Sequence, residues 1–169
     1  NNLWCSVSFV PDQLAVRKTN GTWASINFST IGLANTTVGQ VMVTRSGQKW
    51  ILIALSGILV YQDNGTFAAP NTSNTKVIST ETGKGGLPSK NVFFCAEAQD
   101  GEIWGGTDKG IAVFYSSESI FGGDNWDAQP IYIEQDGHTQ KLLETETITS
   151  IAVDGANRKW IGTLNGGVF

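Results

Sequence analysis

The sequence predicts an all-β protein built from repeated antiparallel sheets, and three observations indicate this fold. First, hydrophobic residues make up 40% of the 169 residues and charged residues only 15%, with 20 glycines. Second, six tryptophans are present, and four of them recur at similar intervals. Third, Asn-Gly pairs separate apolar stretches that are the length of strands. Aromatic residues, β-branched residues and glycine together favour strands and turns over helices.

Tryptophan spacing defines a repeat. Trp4, Trp50, Trp104 and Trp160 lie 46, 54 and 56 residues apart. Each of the last three follows a short polar turn, and nine residues before each of them is an apolar residue. Seventeen residues before each is a leucine, at Leu33, Leu87 and Leu143. Offsets that coincide three times indicate a repeated supersecondary unit.

Glycines mark the turn that follows each tryptophan. The stretches Trp104–Gly110 and Trp160–Gly166 both read Trp-x-Gly-Thr-x-x-Gly, and Trp50 begins a looser copy with its glycine one position later. Asn20-Gly21 and Asn64-Gly65 each precede a threonine and an aromatic residue, and Asn125-Trp126 is a third version. We predict type I′ turns at the Asn-Gly pairs, because both central residues of that turn need positive φ.

Each repeat is therefore predicted to contain four short strands. The first is an inner strand such as Ile148–Val153, the tryptophan lies on the second, and a fourth strand starts near the second aromatic residue. Four strands in a repeat of this length are typical of a β-propeller blade, whose two faces are covered by neighbouring blades. We predict units 1–39, 40–89, 90–146 and 147–169, which make two complete four-stranded blades and two partial ones.

Charge and hydropathy exclude several classes of protein. No apolar run approaches the ~18 residues that a transmembrane helix needs. The net charge is −4 with a pI near 4.9, and lysine and arginine are scattered, so a nucleic-acid partner is not expected. Cys5 and Cys95 lie in apolar stretches, which favours buried free thiols over a disulfide or a reactive pair.

From its two ends, the sequence is expected to be part of a longer array of repeats. The chain starts without Met and stops on an apolar stretch, so we expect it to be part of a longer protein. An open array exposes a sheet face and strand edges at each end. We therefore expect the isolated chain to self-associate, end to end.

Two segments resemble a known group of repeats. One is Leu142–Thr163, and the other is Gly86–Ser89 followed by Asp100-Gly101-x-Ile103-Trp104-x-Gly106-Thr107-x-x-Gly110. Both resemble the two-component regulator propeller repeats of Bacteroidetes envelope proteins. Leu142–Thr163 also resembles the propellers of PorZ-type components of the type IX secretion system. The resemblance covers about residues 30–169, and it implies a seven-bladed ring of which this chain would form about half.

The resemblance also implies an exported protein, in the periplasm or at the outer cell surface. In PorZ-like proteins the propeller belongs to the secretion machinery, and in hybrid two-component sensors it forms the periplasmic ligand-sensing part. We therefore expect a non-catalytic binding or scaffold module without a cofactor, with a protein or glycan ligand. The alternatives are a sensor domain and a propeller lyase or hydrolase.

Loops at one end of the blades are the candidate binding site. In a propeller, the segments that lead into the inner strands and the turns between second and third strands gather on one face. Surface loops on a rigid scaffold commonly carry function, and the alternative is that each residue serves only as a turn. The candidates are Ser89, Lys90, Asn91, Asp108, Lys109, Thr145, Glu146 and Asn165.

Catalytic and metal-binding patterns are weak. His138, the only histidine, lies in a polar turn, which favours an exposed residue over a catalytic base. Asp124-Asn125-x-Asp127 offers oxygen ligands for calcium but lacks the glycine and terminal glutamate of an EF-hand loop, so a turn is favoured. Glu144 and Glu146 are interpreted as part of a solvated loop rather than as an acid–base pair. We expect no metal site.

Overall fold

The computed structural model describes residues 2–123, 126–135 and 137–169. These residues form four antiparallel sheets and a separate hairpin, with short 3₁₀ turns at Ser29–Ile31 and Ser117–Phe121. None of their helical turns is long and apolar enough to span a bilayer. The predicted all-β, antiparallel fold is confirmed, and each of these sheets remains open rather than closing on itself.

The first two sheets follow the chain in simple order. The first sheet consists of β1 (Leu3–Ser6), β2 (Leu14–Arg17) and β3 (Trp23–Ile26). The second consists of β4 (Val38–Val43), β5 (Lys49–Ile53), β6 (Gly57–Tyr61) and β7 (Thr75–Ile78). In both sheets each strand pairs with the next one along the chain, which is the order predicted for a repeated unit.

The second half of the chain contains two smaller sheets and a hairpin. The third sheet consists of β8 (Val92–Glu97), β9 (Ile103–Thr107) and β10 (Gly110–Phe114). The hairpin of β11 (Tyr132–Gln135) and β12 (His138–Lys141) follows. The fourth sheet pairs β13 (Ile148–Val153) with β14 (Lys159–Thr163). Single bridges add Gln129 to the third sheet and Val168 to the fourth.

The third sheet differs from the four strands predicted for it. Its fourth strand is reduced to a bridge between Val113 and Gln129. Beyond Gln129 the pairing does not continue, and the carbonyl of Ile131 accepts from Leu142 N at 2.7 Å. The chain then enters the β11–β12 hairpin, which the sequence did not predict.

The Asn-Gly turns agree with the prediction in part. Asn64 (φ 51°) and Gly65 (φ 74°) both have positive φ, as a type I′ turn requires. At the other pair only Gly21 has positive φ, so a type I′ turn is wrong there. The Asn64-Gly65 turn also does not join two strands directly, because β7 begins only at Thr75. Asn125, of the predicted third version, lies outside the described residues.

The first strands of the last three sheets carry a β-bulge at the same place. Register shifts follow Val38 in β4, Val92 in β8 and Ile148 in β13. Each of these residues lies twelve positions before the repeated tryptophan of its own sheet. The repeat inferred from the tryptophans therefore holds residue by residue, and the bulges increase the local twist of these strands.

Hydrophobic cores lie between successive sheets. Along β5, Ile51 and Ile53 face the first sheet, while Trp50 and Leu52 face the third. A further core joins the third and fourth sheets around Trp104. The second and third sheets are therefore covered on both faces, and each large side chain buried in this way contributes about 1.5–3 kcal/mol of transfer free energy.

The repeated tryptophans point from each sheet towards the next. Trp4 packs against the core shared with the second sheet, and Trp50 is fully buried. Trp104 is 7% exposed, whereas Trp160, on the outer side of the fourth sheet, is 48% exposed. The repeated leucines pack on the same cores: Leu87 is buried, and Leu33 and Leu143 are half-buried.

Candidate functional site

Two sets of loops meet at one end of the sheets. One set consists of the turns between second and third strands, and the other consists of the segments that lead into the first strands. We call their common surface the turn face and define it by four segments: 89–91, 108–109, 145–147 and 164–165. The sequence predicted that these segments gather, and backbone hydrogen bonds join them.

Within each of the last three sheets, the turn donates a hydrogen bond to the lead-in segment of the same sheet. The acceptor lies thirteen residues before the repeated tryptophan in all three cases. The bonds run from Ala54 N to Thr37 O (3.0 Å), from Asp108 N to Asn91 O (3.3 Å) and from Leu164 N to Thr147 O (2.8 Å). This bond is therefore part of the repeat and fixes both loops relative to the sheet.

Between sheets, a glycine of the turn donates to the lead-in segment of the next sheet. Gly57 N donates to Lys90 O (3.0 Å), and Gly110 N donates to Glu146 O (2.9 Å). Both glycines have positive φ, 90° and 87°. A Cβ at Gly110 would lie 2.7 Å from Leu143 O, so the contact leaves no room for a side chain. These two positions require glycine for conformation and for space.

The fourth sheet has a longer turn than predicted. The Thr163 hydroxyl donates to Gly167 O (3.1 Å), as the Thr107 hydroxyl donates to Gly110 O (2.8 Å). Gly167, with φ 87°, therefore takes the position that the sequence assigned to Gly166. The turn of the fourth sheet is therefore one residue longer than the turn that ends at Gly110 in the third sheet.

Asp108 is hydrogen-bonded to side chains of the segment that leads into its own sheet. Its Oδ2 accepts from Asn91 Nδ2 at 2.8 Å, and the backbone N–H of Asn91 donates to the Ser89 hydroxyl at 3.1 Å. Hydrogen bonds from Ser89 and Asn91 lower the pKa of the Asp108 carboxyl, so the group is anionic at neutral pH. Oδ1 of Asp108 is buried without a hydrogen-bond partner among the described residues.

The other candidate residues take different places. Lys90, Lys109, Thr145 and Asn165 are exposed at the rim. Glu146 takes part through its backbone carbonyl, and its carboxylate lies against Gly166. The turn face thus combines a fixed anionic centre with exposed polar side chains, an arrangement that can hydrogen-bond to a partner.

The remaining sequence candidates are placed away from the turn face. His138 begins β12 and is exposed. Asp127 accepts hydrogen bonds from Gly83 N and Gly85 N, both at 2.7 Å, and so holds that loop in place. Asp124, Asn125 and Asp136 lie outside the described residues. Within the described ranges, no three His, Cys, Asp or Glu residues are grouped as metal ligands would be.

Both cysteines are free thiols, as interpreted from the sequence. Cys95 is buried between the second and third sheets, and burial raises the pKa of its thiol to about 12. It is therefore protonated at neutral pH and is not a nucleophile. Cys5 is half-buried on β1 in the first sheet.

A second set of contacts, not predicted from the sequence, lies at the opposite end of the sheets. Arg45, in the turn before Trp50, donates to Gln99 O (2.6 Å) and to Ala98 O in the turn of the next sheet. Gln99 N in turn donates to Asn157 Oδ1 (2.8 Å) in the corresponding turn of the fourth sheet. The polar turn before each tryptophan was the available signal, because its recurrence places these turns side by side.

Comparison with known proteins gives no match to any family model or curated protein. Among solved structures, PorZ is described as an essential bacterial surface component of the type IX secretion system of Porphyromonas gingivalis. It matches with a TM-score of 0.80 and 23% identity, over 100% of this chain and 24% of PorZ. The chain shares its fold with PorZ. The resemblance predicted from Leu142–Thr163 is thereby confirmed at the level of the fold.

A second solved structure is similar over almost the whole chain. It is the extracellular domain of a putative hybrid two-component system from Bacteroides thetaiotaomicron, with a TM-score of 0.51 and 17% identity. The match covers 99% of this chain and 24% of that one. The chain therefore spans about a quarter of the length of each of these two proteins.

Proposed function

We propose that the chain is part of a β-propeller that serves as a non-catalytic binding or scaffold module in an exported bacterial envelope protein. Each sheet acts as one blade, and the turn face presents the loops that contact a protein or glycan. The role is that of a PorZ-like component of the type IX secretion system. The fold shared with PorZ supports this role.

The repeated hydrogen bonds between sheets are the observation that carries the proposal. Gly57 and Gly110 each tie their own turn to the next lead-in segment. Loops fixed in this way lose little conformational entropy when they bind a partner, because they are already ordered. The exposed side chains of Lys90, Thr145 and Asn165 are then available for contact.

A periplasmic sensor is the second candidate. The similarity to the extracellular domain of a hybrid two-component system favours it. In this role the turn face would bind a small or polymeric ligand, and binding would change the output of a linked kinase. The two roles differ in the process that fails when the turn face is altered.

The test replaces Lys90, Thr145 and Asn165 together by alanine in the full-length gene of the native host. If the proposal is correct, cargo of the type IX system disappears from the cell surface, as quantitative mass spectrometry of surface and culture fractions would show. The matched control replaces three exposed residues elsewhere, Arg17, Thr19 and Lys84, and leaves secretion unchanged. Normal secretion with a lost transcriptional response would instead support the sensor role.

A further inference from the structure

The third sheet has a gap one residue long on its outer edge. Gln129 lies opposite Val113 and donates to its carbonyl at 2.8 Å, which places Pro130 beside Ala112. The next place along the edge is beside Ile111. The chain's own backbone thus fills this edge up to that point, and only the place beside Ile111 is left open.

The chain itself also bounds the gap. Ile131 would come next in the pairing, but its carbonyl accepts from Leu142 N at 2.7 Å and so belongs to the hairpin. On the other side, a Cβ at Gly110 would lie 2.7 Å from Leu143 O and 3.2 Å from Glu144 Cα. A continuous strand therefore has no path along this place, whereas a single small molecule does not need one.

The backbone of Ile111 points into the gap. The N–H and C=O groups of a strand alternate between its two edges, so those of Ile111 point to the same edge as those of Val113. The counterpart of Ile111 in the second sheet is Ile58, which pairs with Ile78 of β7. Among the described residues, no partner meets the N–H or the C=O of Ile111 on this edge, although Ile111 is only 6% exposed. Buried backbone groups need partners, so the gap suits a molecule with one acceptor and one donor.

A cleft of about 290 Å³ lies across this edge. It touches Ala112, which belongs to the core shared with the second sheet, and Ile111, which belongs to the core shared with the fourth. Contact with both faces places the cleft at the edge of β10, where the backbone groups of Ile111 lie. Its volume is just below the usual range for ligand pockets, roughly 300–1,000 Å³, so it suits a small molecule.

The charged side chains of the cleft lie at the Gly110 end. Lys109 and Lys141 line the cleft, and so does Glu144. Lys141 Nζ lies 3.1 Å from Glu144 Oε1, and both side chains are about half exposed. Lys109 is therefore the additional positive charge at this end. The N–H of Ile111 directly follows Gly110, so this end combines a hydrogen-bond donor with a cation, which suits a carboxylate.

An apolar wall lies on the hairpin side. Ile131 and Leu142 line the cleft and also pack against the core that contains the Ile111 side chain. In the second sheet, the side chain of Ile78 lies on the same face as that of Ile58, because opposite residues of a pair project to one face. A molecule that takes the corresponding place beside Ile111 directs its side chain to this apolar wall.

We propose that this cleft binds a free L-amino acid with an apolar side chain. Its carboxylate accepts from the Ile111 N–H beside Lys109, and its ammonium group donates to the Ile111 carbonyl. The ligand thus reproduces the backbone pairing that Ile78 makes in the second sheet. In this orientation the L configuration directs the side chain to Ile131 and Leu142. The inference goes beyond the proposed role, because it adds a ligand that a scaffold does not need.

The test titrates the ¹⁵N-labelled 169-residue chain with L-leucine and follows binding by NMR. The Ile111 amide is expected to shift. Removing the ammonium group, as in 4-methylpentanoate, or the carboxylate, as in 3-methylbutylamine, should weaken binding about tenfold in each case, because a hydrogen bond to a charged group is lost. D-Leucine should bind about fivefold more weakly or worse, since its side chain turns away from the apolar wall.

Protein variants separate binding from changes in folding. Lys109→Ala should weaken the binding of L-leucine about threefold, because one positive charge beside the carboxylate is lost. The same variant should bind 3-methylbutylamine as well as the unchanged protein does, because this ligand has no carboxylate. Arg17→Ala removes an exposed charge in the first sheet and should leave the affinity for L-leucine unchanged.

Three results would overturn the proposal. One is an Ile111 amide that L-leucine does not shift, and another is equal binding of L-leucine and D-leucine. The third is a Gly-Leu-Gly tripeptide that binds as well as L-leucine. Its leucine carries neither a free carboxylate nor an ammonium group, so that result would indicate a peptide ligand instead.

The outcome is independent of the secretion test. If L-leucine fails to bind while the turn-face substitutions still abolish secretion, only the inference about the cleft fails. If L-leucine binds but secretion is unaffected by those substitutions, the proposed role in secretion fails and the cleft stands. Lys109 is not among the residues replaced in the secretion test.

Discussion

The side chain of Gln40 pairs with the backbone of Cys95 in both directions. Gln40 Nε2 donates to Cys95 O at 3.0 Å, and Cys95 N donates to Gln40 Oε1 at 2.8 Å. A single amide from β4 thus satisfies both backbone groups of a residue on the next sheet. Ser8 has a similar relationship with Val38, since its hydroxyl accepts from Val38 N (3.0 Å) and donates to Val38 O (2.9 Å).

Replacing Gln40 by alanine is expected to destabilise the fold by about 1–3 kcal/mol, because two backbone groups of Cys95 lose their partner. Urea unfolding followed by tryptophan fluorescence measures this loss. The control is Gln140→Ala in the exposed β12 strand, which should change stability by less than about 0.5 kcal/mol. Equal stability of the two variants would show that the Gln40 contact contributes nothing.

Gly57 and Gly21 provide a second prediction, because both have positive φ in different surroundings. A Cβ at Gly57 would overlap Ile78 O, whereas nothing lies within 4 Å of one at Gly21. Gly21→Ala should cost about 1 kcal/mol through backbone strain alone. Gly57→Ala should cost more than about 2 kcal/mol, because the new methyl group would also push against Ile78 of β7 and the side chain of Leu87. Thermal unfolding of the two variants compares the costs, and similar values would contradict the close approach.

Local patterns were sufficient to predict the repeat. The offsets between leucine and tryptophan depend on residues within one repeat, and they stay constant although successive tryptophans lie 46, 54 and 56 residues apart. For the same reason, the gathering of residues 89–91, 108–109 and 145–147 on one face could be predicted. These loops lie at equivalent points of equivalent sheets.

Features that depend on distant partners were not predictable. The pairing of Gln40 with Cys95 spans two sheets, and nothing local to either residue indicates it. The path into the β11–β12 hairpin depends on Leu142 N bonding to Ile131 O, a contact that no local pattern indicates. The extra residue in the turn before Gly167 could not be predicted, because the neighbouring Gly166 also fits the Trp-x-Gly-Thr-x-x-Gly motif.

The ion pair between Lys49 and Asp63 supports a third prediction. Their side chains are only 6% and 2% exposed, and Lys49 Nζ also lies 4.5 Å from the centre of the Trp4 ring. Lys49→Met should destabilise the protein by about 3–5 kcal/mol, since it leaves a buried carboxylate without a counter-charge. Adding Asp63→Leu should recover much of that loss, because the unpaired charge is then removed.

The measurement is a double-mutant cycle by urea unfolding. The exposed pair of Lys84 and Glu81 is the control, and its coupling should stay below about 1 kcal/mol. If the effects of Lys49→Met and Asp63→Leu simply add, the two side chains do not interact energetically. In that case the burial of this pair has no consequence for stability.

The outer faces of the first and fourth sheets bear exposed aromatic side chains. Trp23 lies opposite Arg17 in the β2–β3 ladder and is exposed, and Trp160 is 48% exposed on the fourth sheet. In the middle of the array the equivalent Trp50 is fully buried by the next sheet. We expect the isolated chain to cover these faces by associating end to end, because that removes both tryptophans from water.

Sedimentation velocity over a range of concentrations tests this association, with a monomer of 18.1 kDa as the reference. Trp160→Ser and Trp23→Ser should each raise the dissociation constant about tenfold or more, given the apolar area that each removes from the interface. Tyr132→Ser is the control, because Tyr132 is 61% exposed and belongs to the β11–β12 hairpin rather than to the first or fourth sheet. A single 18.1 kDa species at high concentration would contradict the expectation, since the exposed faces would then be stable in water.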